Sequence, residues 1–88
     1  MTYQILHVDG SREDFTPTGE RPSLEELQKI VGGMIELVRV KGGQLWVNEE
    51  GLLLSLPLNL QASRIANGYI VGPALLCLRK VRERVGTR

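Results

Sequence analysis

The stretch PSLEELQKIVGG, Pro22 to Gly33, leaves its backbone little choice. Ser23 can accept from an orphan N–H of a first helical turn, and Glu26, three residues on, completes the reciprocal bond of a capping box. Gly32-Gly33 ends the run, because helices commonly stop on a left-handed residue and glycine adopts that conformation without steric cost. Between these signals Leu24, Leu27, Ile30 and Val31 form one apolar stripe, so that face of the helix is core. The next segment, MIELVRVK, alternates instead. Ile35, Leu37 and Arg39 fall on one side and Met34, Glu36, Val38 and Val40 on the other, which predicts a strand.

The rest of the chain reads as more sheet. Gly42-Gly43 is a two-residue hairpin signature in which both residues are expected at positive φ, so QLWVN returns as the partner strand. NEEG makes a further turn, with Gly51 at the left-handed position, and LLLSLPL reads as the third strand of a meander that ends or runs along an edge at Pro57. Asn59 caps a short helix, LQASRIA, which Asn67-Gly68 terminates. TYQILHV is a first strand, and DGSREDFTPTGERP after it is a loop or a ragged hairpin. YIVGPALLCL reads as a last strand bent at Gly72-Pro73. The helical spacing of Ala74, Leu78, Val81 and Val85 keeps a C-terminal helix open as the alternative. The expected fold is a single small α+β domain over residues 1–78, with a mostly antiparallel sheet of four to five strands, one main helix and one short helix. A basic tail, residues 79–88, follows it.

Composition narrows the function classes. At 88 residues there is room for one domain, and 11 basic against 10 acidic residues leave no overall field to draw the chain to nucleic acid or a membrane. One cysteine, Cys77, can form no internal disulfide, and inside PALLCL it reads as a buried, inert thiol. The absence of a disulfide framework favours a reducing cytoplasm, and neither a leader segment nor a membrane span is read from the apolar runs.

LQKIVGGMIELV, VNEEGLLLSLPLN and YIVGPALL, in that order and spacing, resemble the domain of unknown function family numbered 3846. The resemblance runs from about Leu24 to Leu76. It implies a compact α+β domain of the kind found in bacteriophages, plasmids and bacterial genomes. It implies no catalytic residues, and no cofactor or metal is expected from the residues themselves.

The chemistry-bearing residues are few. His7 is the sole histidine, which removes a histidine metal cluster or a histidine-centred triad, and the adjacent Glu49 and Glu50 point to opposite faces of an extended chain. No enzyme is expected. Arg79, Lys80, Arg82, Arg84 and Arg88 make the tail basic, but aromatic residues are only 5% of the chain, too few for a stacking surface along a nucleic-acid strand. Asn48, Glu49 and Asn59 have two readings. As turn and cap residues they serve the fold. As ligand residues they present the donor and acceptor pairs that match base edges, with Arg64 nearby to hold a phosphate. The expected function is a non-enzymatic binding protein of phage or mobile-element type that sequesters a nucleotide-like host signal in the host cytoplasm, with a homo-oligomer as a candidate assembly. The alternative is a protein-interaction module acting on a host protein.

Overall fold

The computed structural model describes residues 1–79. Five strands and two helices follow the order β1 (Thr2–Leu6), β2 (Arg12–Asp14), α1 (Leu24–Val31), β3 (Ile35–Val40), β4 (Gly43–Asn48), α2 (Leu60–Ala66) and β5 (Ala74–Leu78). They build one sheet in the order β2-β1-β5-β4-β3, and every neighbouring pair is antiparallel. The α+β class, the antiparallel sheet and both helices are as the sequence reads. DGSREDF becomes the ragged hairpin, with β2 returning for three residues beside β1.

The helix signals act as their chemistry requires. Ser23 Oγ accepts from the Glu26 N–H at 3.1 Å while the Glu26 carboxylate accepts from the Ser23 N–H at 2.8 Å. Gly32 closes α1 at φ 84°, and Asn67 closes α2 at φ 55°. Each helix covers one face of the sheet. Beneath α1 lie Leu75 and Cys77 with Ile5, Ile35 and Trp46; beneath α2 lie Leu6, Leu45, Val47, Ala74 and Leu76. The central strand β5 therefore lacks a solvent face, and four successive residues in it, Ala74 to Cys77, are buried. This explains the continuous apolar run in a strand of an antiparallel sheet.

Four expectations need correction. The first is Gly51, which does not take a left-handed φ. LLLSLPL is not a strand. Its place beside β4 is taken by β5, and the chain turns away at once because Asn48 Oδ1 accepts from the Glu50 N–H at 2.7 Å. Residues 51–55 form instead a single helical turn, which we call the leucine knuckle. Leu54 N–H donates to Glu50 C=O (2.9 Å), Ser55 N–H to Leu52 C=O (3.1 Å) and Leu56 N–H to Gly51 C=O (3.0 Å), the paired closing bonds of a Schellman cap. Leu52, Leu53 and Leu54 are thereby left 69%, 84% and 53% exposed, which is why their hydrophobicity misleads as a core signal.

The hairpin turn is also shifted by one residue. Val40 pairs with Gly43, so the loop is Lys41-Gly42 and only Gly42 takes a positive φ, 82°. Gly43 is required for a different reason, taken up in the Discussion. Finally, Leu24 is exposed (59%), since the first turn of α1 runs past the packed surface beside an open cleft, leaving Leu27 and Val31 as the buried stripe. The Gly72-Pro73 bend leads into a strand at Ala74–Leu78, and Arg79 N–H still bonds Gly42 C=O at 3.0 Å. The helical alternative beyond that point and the tail from Lys80 onward lie outside the described residues.

The knuckle carries a measurable strain. Ser55 occupies its left-handed position at φ 56°, where an L side chain costs roughly 1–2 kcal/mol over glycine. Ser55→Gly is expected to raise the unfolding free energy by about 1 kcal/mol. Urea denaturation checks it, and a lowered midpoint would mean that the Ser55 side chain is needed for something the cap does not explain.

Candidate functional site

Asn48, Glu49, Asn59 and Arg64 do not converge. Asn48 and Asn59 do lie at one end of the sheet, but on opposite faces. Asn48 ends β4 on the α1 side, where its amide donates to Val31 C=O at 3.0 Å and lies against Gly33, at which an added Cβ would come within 3.1 Å of Asn48 Nδ2. Asn59 sits wholly buried under α2, donating to Leu6 C=O (2.9 Å) and Gly72 C=O (2.8 Å) and accepting from Ala62 N–H (3.1 Å). Both asparagines thus spend their hydrogen bonds on backbone. Glu49 is exposed and shares with Asn48 the lining of a shallow depression of about 200 Å³, whereas Asn59 and Arg64 are not part of it; Arg64 is exposed on α2.

A larger cleft, about 520 Å³, opens on the other side of the molecule. Its position follows from the shortness of α1. Eight residues of helix reach across only part of the sheet, and the end of the face that carries Tyr3, Gln44 and Cys77 stays uncovered. Strand register puts these side chains together. Tyr3 pairs with Cys77, Cys77 with Gln44 and Gln44 with Arg39, so four strands contribute one cross-sheet row. The neighbouring row, Ile5–Leu75–Trp46–Leu37, brings Trp46 beside it. Glu20, Arg21 and Pro22, the residues that lead into α1, form a wall, and Leu27 of α1 closes the inner side.

The cleft offers distinct chemistry. Tyr3 and Trp46 are half-buried, presenting flat aromatic surface with part of each ring accessible. Gln44 carries one amide donor group and one acceptor. Arg21 supplies positive charge and Glu20 one negative charge at the rim, while Arg39 continues the row beyond Gln44. Cys77 forms the floor but not a nucleophile: burial pushes its thiol up to about 11, with hydrogen bonding from Trp46 pulling only partly back. At neutral pH it is a neutral, weakly nucleophilic thiol. Among the described residues no three His, Cys, Asp or Glu side chains are grouped to hold a metal ion. His7 lies at the opposite end of β1, its Nε2 2.9 Å from Glu13 Oε1.

A model of a known protein family matches residues 1–85 of the 88-residue chain. The chain belongs to the domain of unknown function family DUF3846. The match takes in the β1–β2 hairpin and much of the basic tail, both outside the motifs on which the resemblance was read. Neither a curated protein nor a solved structure matches this DUF3846 chain. Among the described residues no helix is long and apolar enough to cross a membrane.

Sequence reasoning passed over the residues of the DUF3846 cleft. The alternation of TYQIL shows Tyr3 and Ile5 sharing a face, and Trp46 is the sole tryptophan. What it does not show is that β5 inserts between β1 and β4 and draws them into one surface. It also passed over Gln61, which ties α2 to the first hairpin by donating to His7 C=O and Ser11 C=O while accepting from Arg12.

Proposed function

We propose that this DUF3846 protein is a non-enzymatic binding protein for a small, planar, anionic molecule of nucleotide type, held in the cleft floored by Tyr3, Gln44 and Trp46. The observation that carries this reading is the pairing of accessible aromatic surface with an amide and an arginine in a cleft of about 520 Å³, within the range usual for small-molecule sites. A base stacks on the rings, the Gln44 amide meets its polar edge, and Arg21 takes the phosphate. The neutral Cys77 beneath adds an apolar floor and no reaction. Sequestration asks for affinity and abundance without chemistry. A small protein of a phage or other mobile element, acting on a nucleotide signal in its host's cytoplasm, fits that requirement. The interaction-module reading keeps a separate support in the exposed leucine knuckle.

Trp46 makes the test direct, because the only indole in the chain lies in the proposed site. Titration with a panel of cyclic and linear nucleotides is expected to change Trp46 emission saturably and to release heat in calorimetry. Gln44→Ala and Arg21→Ala are each expected to weaken binding about tenfold or more, with unchanged thermal unfolding. No heat and no emission change with any nucleotide, for a folded protein, would sink the sequestration reading and leave the interaction module.

A further inference from the structure

The two edges of the sheet are treated differently. β2 is three residues long and consists of Arg12, Glu13 and Asp14, all exposed, which is a blunted edge of the kind that resists pairing. β3 at the other edge runs six residues in unbroken register with β4, without proline or bulge. Among the described residues no hydrogen bond reaches its outer side. Beside it, on the α2 face, lies the depression of about 200 Å³, the size of one large side chain. Val38, Val47, Leu52 and Ile70 give it an apolar floor and wall, whereas its charged lining residues are Glu36 and Glu49, with no basic residue among them.

We infer that β3 is a docking edge for an extended segment of a partner protein, which adds as a sixth strand. Alternate residues of that segment are basic and apolar. Backbone hydrogen bonds along β3 supply affinity, and the side chains on the α2 face supply selectivity. Glu36 and Val38 share that face, so an incoming strand sets a lysine or arginine against the first and an apolar side chain against the second, over the depression. The commitment to a basic partner rests on the acidic lining, and the commitment to a strand rests on the open edge. This interface lies on the other face from the aromatic cleft and builds on the interaction-module reading alone, so nucleotide binding and strand docking succeed or fail separately.

The probe is a fluorescein-labelled octapeptide of threonine-lysine-threonine-valine repeats, titrated with the full-length protein and followed by anisotropy. Saturable binding is expected, weakening about tenfold or more when alternate peptide nitrogens on the pairing side are methylated, because the backbone bonds are lost. Glu36→Lys, an exposed substitution, is expected to weaken it similarly while leaving thermal unfolding and the Trp46 nucleotide titration unchanged. No saturable binding, equal affinity of the methylated peptide, or indifference to Glu36→Lys would each overturn the proposal. So would sedimentation showing that β3 pairs with a second copy, with Glu36→Lys dispersing a dimer that excludes the peptide.

Discussion

Asn59→Asp is expected to destabilise the protein at least as much as Asn59→Ala, even though aspartate is as good a helix cap as asparagine. Asn59 is fully buried and its Nδ2 donates to two carbonyls, Leu6 at 2.9 Å and Gly72 at 2.8 Å, while its Oδ1 caps α2 at Ala62. Alanine removes the side-chain partner of two buried acceptors and one buried donor, and each such group costs about 1–3 kcal/mol, so the total is about 3–9 kcal/mol. Aspartate keeps the cap, but as a carboxylate it donates to neither carbonyl, and as the neutral acid it donates to one at most and only after taking up a proton in a site without solvent. Were Asn59 only a cap, aspartate would be close to neutral. A domain of this size has about 5–10 kcal/mol in hand, so both variants are expected to be largely unfolded or to melt far below the parent. Thermal unfolding of the two side by side decides it, and an Asn59→Asp melting curve matching the parent would reduce Asn59 to a cap.

Gly43→Ala is expected to cost roughly 3 kcal/mol or more, well above Gly42→Ala at about 1 kcal/mol. The order is the opposite of what the turn alone suggests, since Gly42 holds the positive φ, 82°, and a Cβ there meets nothing. A Cβ on Gly43 would overlap the carbonyl oxygen of Cys77 and press on the backbone of Leu78. The obstacle is main chain of the central strand, so no side-chain rotation relieves it. The strands must separate, and β4–β5 pairing is what unites the two halves of the sheet. Urea midpoints of the two variants test the order; equal midpoints would mean that the β4–β5 contact yields cheaply.

These two residues also mark where the sequence stops being readable. Local signals told the truth: Ser23 and Glu26 made their box, Asn59 and Asn67 bounded α2, and the strands either side of Lys41-Gly42 paired. Each depends on atoms within a few residues. What Gly43 touches and what the Asn59 amide reaches lie 34 and 53 residues away, and only the register of β5 brings them there. The same register gathers Tyr3, Cys77, Gln44 and Arg39 into a row, which is why the cleft was invisible while Asn48 and Glu49, adjacent in a conspicuous turn, drew notice. The leucine knuckle failed for the converse reason. Its hydrophobicity is local and genuine, but β5 already fills the place in the sheet that a third meander strand would need.

The strand order β2-β1-β5-β4-β3 has a consequence for how the chain is made. The β1–β2 and β3–β4 hairpins are each contiguous in sequence and can close within microseconds. The strand that joins them ends 30 residues after β4, and synthesis at about 5–20 residues per second delivers it only seconds later. Through that interval β1 and β4 carry open inner edges and Leu6, Leu45 and Val47 have no β5 to pack on. Arrival of Ala74 to Leu78 then closes both gaps at once, so β5 is a keystone: the nascent chain holds two incompatible half-sheets until it is set, and one cooperative sheet afterwards.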